Sequence, residues 1–138
     1  MYILKTRSEF DGAHFLKDYD GKCANLHGHR WVVTIEVGSE ELETEGTSRG
    51  MVVDFGKLKE DLKNLTAGFD HMLLIEEGSL KPSTMAAMAD EGFRMVSLPF
   101  RPTAENLAKH FYDVMAEKGY NVILARVFET PENCAEYR

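Results

Sequence analysis

An α+β fold, with helices laid over one face of an antiparallel sheet, is the class this sequence predicts. Two observations carry that expectation. Residues 29–38 alternate as a half-buried strand does, with His29, Trp31, Val33, Ile35 and Val37 on one face and Arg30, Val32, Thr34 and Glu36 on the other. Two other stretches, 55–67 and 104–118, repeat their apolar residues at helical spacing, each behind a capping residue. With further strands near both ends, the order reads two strands, helix, helix, two strands.

Each element has its own signal. In residues 2–10, Tyr2, Leu4 and Phe10 share one parity of a strand; His14 keeps it, with Gly12 a place for a bulge. Residues 18–26 form a polar loop, and the acidic turn 40–50 leads to a short strand around Met51–Val53. Asp54 caps the first helix, whose stripe is Phe55, Leu58, Leu62 and Leu65, and Gly68 stops it. Residues 76–101 are less regular: a short helix over 83–91 ending at Gly92, then a strand near 93–98. Thr103 caps the second long helix, which buries Leu107, Ala108, Phe111 and Met115 and ends at Gly119. Strand 121–129 follows, with Ile123, Ala125 and Val127 inward and Glu129 at the end of that face, and residues 134–138 form a last strand.

Composition narrows the function. The 138 residues, 43% hydrophobic and 28% charged, suit one domain spanning 1–138 with a real core. A net charge of −7 without a Lys/Arg cluster argues against a nucleic-acid surface. No apolar run approaches the roughly 18 residues of a membrane span, and Met1 leads straight into Tyr2-Ile3-Leu4-Lys5, so a cytoplasmic protein is expected. The two cysteines, Cys23 and Cys134, are then reduced; Cys134 reads as a small buried hydrophobe.

The stretch richest in chemistry is Cys23-Ala24-Asn25-Leu26-His27-Gly28-His29. Residues i and i+2 of an extended chain point the same way, so His27 and His29 can reach one metal ion, and His14 supplies a third imidazole. Three neutral nitrogens with an open fourth position suit catalytic zinc, and an acid is expected to orient at least one of the rings. Cys23 closes a structural site as a fourth ligand, stands beside the metal as a free thiolate, or is an inert loop cysteine. Asp70-His71 reads as a carboxylate-supported acid/base pair or as an ordinary turn. Glu129 either meets water or accepts two hydrogen bonds from a guanidine-like edge such as that of a pterin. His110, inside the second long helix, reads as a bystander.

Taken together, His14, Cys23-x3-His27-Gly28-His29, Val53-Asp54-Phe55, Asp70-His71, Pro102-Thr103-x-Glu105-Asn106 and Glu129-Thr130 resemble the 6-pyruvoyl-tetrahydropterin synthase superfamily over most of the chain. The short spacing from Cys23 to the His-Gly-His triplet is similar to that of the bacterial 6-carboxytetrahydropterin synthases of queuosine biosynthesis. The resemblance implies a tunnelling fold (T-fold), trimers joined edge to edge and stacked into a homohexamer, and a cytoplasmic enzyme. It implies that His14, His27 and His29 hold Zn2+, that Cys23 is the general base, and that Asp70 and His71 form a second catalytic element. Glu129 would anchor the pterin ring, with Thr103 and Glu105 nearby. The implied reaction converts 7,8-dihydroneopterin triphosphate to 6-carboxy-5,6,7,8-tetrahydropterin, releasing acetaldehyde and triphosphate. Two other readings stand beside it: a 6-pyruvoyl synthase that releases triphosphate only, and a non-catalytic protein with a zinc site of one cysteine and three histidines. Residues 76–101 are longer than the loop the family often has there, and read as a lid, a subunit contact or a decoration.

Overall fold

A computed structural model describes the whole chain, Met1–Arg138. Its strands are β1 (Tyr2–His14), β2 (His27–Ser39), β3 (Met72–Glu76), β4 (Met95–Leu98), β5 (Val122–Phe128) and β6 (Cys134–Tyr137); its helices are α1 (Phe55–Ala67), α2 (Pro82–Asp90) and α3 (Ala104–Glu117). The strands form one sheet in the order β4-β3-β1-β2-β5-β6. The α+β class is as expected.

The frame of the sheet is the β1/β2 pair, antiparallel and in unbroken register from Tyr2 opposite Ser39 to His14 opposite His27. No bulge interrupts it at Gly12. That glycine is a close-approach position, where an added Cβ would lie 3.1 Å from Leu74 Cδ1 and 3.2 Å from Phe10 Cε2. The register shift falls instead between Glu36 and Val37, which face Leu124 and Val122. It skips Ile123, so Val122 is the buried residue at the start of β5 and Ile123 is only half-buried.

Two expectations about the sheet fail. It is mixed, because β3 runs parallel to both β1 and β4. Leu73, Leu74 and Ile75 are all buried, and such a run carries none of the alternation that marks a one-sided strand. There is also no strand at 51–53. The Met51 carbonyl accepts from the Glu43 N–H, and the Gly50 N–H donates to the Glu43 carbonyl, so this segment closes on its own loop rather than on the sheet.

Helices α1 and α3 cover one face. Asp54 accepts a hydrogen bond from the Lys57 N–H and Thr103 from the Asn106 N–H, so both predicted caps form. Leu58 and Leu62 of α1 meet Leu107, Phe111 and Met115 of α3 in the core with Phe10, Trp31 and Phe69. Phe55 lies outside this stripe and is exposed. The third helix, α2, begins at Pro82 and buries no residue, so it forms the crossover between parallel strands rather than a wall of the core. Cys134, expected to be buried, is exposed on the outer strand. No helix is long and apolar enough to cross a membrane.

Candidate functional site

Strand pairing places the predicted metal ligands. His14 ends β1 and His27 begins β2 directly opposite it; His29 follows at the same parity. Glu129 lies just past β5, the neighbour of β2 on its other side. One ligand atom from each of His14, His27, His29 and Glu129 lies within 4.8 Å of all the others. Cys23 is outside this group. It sits half-buried in a 3-10 turn over Lys22–Ala24, its carbonyl accepting from the Leu16 N–H at 2.9 Å.

The hydrogen bonds around the imidazoles fix their tautomers. His14 Nδ1 lies 2.7 Å from the Pro102 carbonyl, and His27 Nδ1 lies 2.7 Å from the Asn25 carbonyl. A carbonyl only accepts, so both Nδ1 atoms carry hydrogen and both Nε2 atoms of the neutral rings are bare. These two Nε2 atoms stand 3.1 Å apart. Two lone pairs at that distance repel unless a cation lies between them. A proton on His14 is disfavoured, because burial pushes its pKa below the ordinary value and the Pro102 carbonyl only partly offsets it. The Nε2 of His29 is also buried without a hydrogen bond; Glu129 Oε1 is 3.1 Å away but poorly aligned. Burial likewise lowers the His29 pKa. Two bare imidazole nitrogens and the unpartnered Nε2 of His29, with a carboxylate beside them, are a donor set for a divalent metal ion.

The groups that orient these rings are mostly ones the sequence did not single out. An acid was expected behind the imidazoles, but the recorded partners of His14 and His27 are backbone carbonyls. The Pro-Thr motif therefore reaches the cluster through Pro102. Trp31 forms its floor, edge-on to His14 at 4.9 Å and to His29 at 5.3 Å, with its indole N–H donating to the Gly12 carbonyl at 3.1 Å. Its signal was the parity it shares with His27 and His29.

Asp70 and His71 do meet. His71 Nδ1 donates to Asp70 Oδ2 at 2.9 Å, leaving Nε2 free, and the ring is largely exposed. His71 has φ +56°, a left-handed conformation that costs a residue with a Cβ roughly 1 kcal/mol or more. It is held by Asp11, whose carbonyl accepts the His71 N–H at 2.7 Å and whose N–H donates to Asp70 Oδ1 at 2.9 Å. The Asp11 N–H and then the His71 ring hold the Asp70 carboxyl below its usual range. Asp11 also pairs through both carboxylate oxygens with Arg30, at 3.0 and 3.3 Å. Thr103 spends its hydroxyl on the α3 cap, Glu105 is exposed in the first turn, and neither lines the clefts beside the cluster.

Two clefts flank the cluster and share Gly28, His29 and Arg30. One, about 620 Å³, is bordered by Glu129 and Thr130; the other, about 630 Å³, by His71, Met88, Phe93 and Arg94.

Known proteins are similar to this chain over all or most of its length. A 6-carboxy-5,6,7,8-tetrahydropterin synthase of Haemophilus influenzae is 30% identical over all of this chain and 99% of its own length. One from Rickettsia bellii is 34% identical over 93% of both chains. Among solved structures, an uncharacterized protein of Wolinella succinogenes superposes with a TM-score of 0.77 at 22% identity, covering 99% of this chain and 98% of that one. The 6-pyruvoyl tetrahydropterin synthase of Caenorhabditis elegans does so with a TM-score of 0.69 at 23% identity, covering 99% of this chain and 94% of that one. These two likenesses establish the fold. Residues 3–138 match the family described as 6-pyruvoyl tetrahydropterin synthase, and the chain that carries this histidine cluster belongs to that family.

Proposed function

We propose that this protein is a zinc-dependent enzyme converting 7,8-dihydroneopterin triphosphate to 6-carboxy-5,6,7,8-tetrahydropterin, with release of acetaldehyde and triphosphate, as a cytoplasmic step of queuosine biosynthesis. The observation that carries this reading is the pair of bare imidazole nitrogens 3.1 Å apart, in a chain similar end to end to proteins named for that product. His14, His27 and His29 would hold the zinc ion, which supplies Lewis acidity toward the hydroxylated side chain of the substrate.

The other roles belong to the chain's own groups. Cys23, outside the ligand group, serves as the general base that removes a proton from that side chain. Asp70 holds the His71 ring by Nδ1, so that Nε2 is the atom that takes or gives a proton at the opposite side of the substrate. Glu129 accepts two hydrogen bonds from the pterin's guanidine-like edge in the cleft it borders. The active assembly is a homohexamer of two stacked trimers; the outer strands β4 and β6, each four residues long, leave two short edges for pairing between subunits.

The test is a zinc-loaded reaction with 7,8-dihydroneopterin triphosphate, scored for acetaldehyde and product mass. Acetaldehyde with a 6-carboxy product is expected. Turnover without acetaldehyde would reassign the protein to 6-pyruvoyl formation, and no turnover with zinc bound would overturn the reading. Glu129→Gln should weaken binding of a pterin by about tenfold while zinc content stays unchanged; unaltered pterin affinity would remove the anchor role.

A further inference from the structure

The proposed substrate has two chemically different ends, a flat heterocycle and a polyanionic tail, and the histidine cluster has a cleft on each side. Glu129 borders one cleft. The other has Phe93 and Met88 on its wall, with His71, Arg30 and Arg94 as its basic groups. Their charges are not equally available. Arg30 is bound through two nitrogens to Asp11, and the His71 ring is bound to Asp70. Arg94 forms no ion pair and no side-chain hydrogen bond, so its guanidinium keeps all its donors for a ligand.

The backbone of Arg94 is nevertheless fixed. Its carbonyl accepts the Leu73 N–H at 3.1 Å, which ties the residue to β3 at the edge of the cleft, one position before β4 begins. The same cleft is lined by His29 of the cluster and by His71, so a group bound between these two histidines has Arg94 on the cleft wall beside it.

We infer that Arg94 is the substrate-tail residue of this enzyme, a specificity determinant that binds the oligophosphate group through its unpaired guanidinium. An inorganic phosphate chain and a phosphorylated pterin share the chemistry this group recognises, namely clustered anionic oxygens that a planar fork of N–H donors meets in pairs. The inference rests on the pterin triphosphate reading, and the two can fail separately.

The test compares binding of neopterin and neopterin triphosphate, whose oxidised rings are not substrates, to the zinc-loaded protein by pterin fluorescence. The wild-type protein should prefer the triphosphate, and Arg94→Ala should reduce that preference by about tenfold while neopterin affinity changes less than twofold. Arg94→Lys should restore part of it. Equal binding of both ligands by the wild type, or a preference indifferent to Arg94, would overturn the inference and leave the pterin reading standing. An equal loss for both ligands in Arg94→Ala would also overturn it, since that marks a structural role. Absence of neopterin binding would strike the pterin reading; a triphosphate affinity still dependent on Arg94 would then keep the cleft as an oligophosphate site.

Discussion

The closed end of the β1/β2 pair and the β3–α2–β4 crossover border the same cleft, yet they are built in opposite ways. The first holds its side chains by a 13-residue antiparallel ladder, a buried tryptophan and carbonyls aimed at the imidazoles. The second carries Met88, Phe93 and Arg94 on a connection whose helix buries nothing, between glycines at φ +77° (Gly78) and +80° (Gly92). Metal ligands need positions fixed to a fraction of an ångström, whereas a wall that meets a flexible phosphate chain does not. On the roles proposed above, the metal-holding imidazoles sit on the rigid frame and the tail-binding Arg94 on the looser crossover.

Function gives the largest contrast. Cys23→Ala should lower turnover by roughly 10²–10⁴-fold, the range for loss of a general base, while zinc content stays at the wild-type level. His14→Ala should lose the metal itself. Metal analysis beside a turnover assay checks both. Zinc loss with unfolding in Cys23→Ala would make the cysteine a ligand and break the division between the frame and its surroundings.

Stability should show the same contrast at smaller scale. Phe111→Ala removes a fully buried ring that packs on Phe10 and Phe69 at 6.2 and 5.4 Å, and should cost about 3–5 kcal/mol. Met85→Ala, in the crossover helix, should cost less than about 1 kcal/mol, because no residue of that helix is buried. Urea unfolding of both variants measures the ratio. Comparable losses would show that α2 is packed in solution and that the crossover is no looser than the frame.

The same division explains what could be read from the sequence. The β2 face, both long helices with their caps, and the histidine triad were legible because each follows a period set by one-sided burial. Glu129 was legible only as a polar residue ending an apolar face. The parallel strand β3 was not, since Leu73-Leu74-Ile75 is buried throughout and has no period of its own. Nor were Pro102, Asn25 and Asp11, which act through backbone atoms that every residue possesses. The Asp70–His71 pair was one of two readings of that dipeptide, and the left-handed backbone at His71 that accompanies it is announced by no side-chain pattern.

The smallest effect concerns His110, the histidine left outside the site. It lies on α3 with its ring 5.7 Å from Phe69, Phe100 and Phe111, and burial lowers its pKa from 6.5, against the opposing pull of Asp113 and Glu117. The native state therefore binds a proton at this position less readily than the unfolded chain does. Stability contributed by the neutral ring is fully present above about pH 6.5 and falls as pH drops through the unfolded pKa toward the folded one. Replacing His110 with phenylalanine removes that titration. The loss of stability between pH 8 and pH 5 should then be smaller in His110→Phe than in the wild type, by up to about 1 kcal/mol. Urea unfolding at the two pH values measures this as a double difference, in which the titration of the metal-site histidines, common to both proteins, cancels. An unchanged double difference would mean that the ring is hydrated in solution, and that the aromatic layer between α3 and Phe69 is looser than the frame it supports.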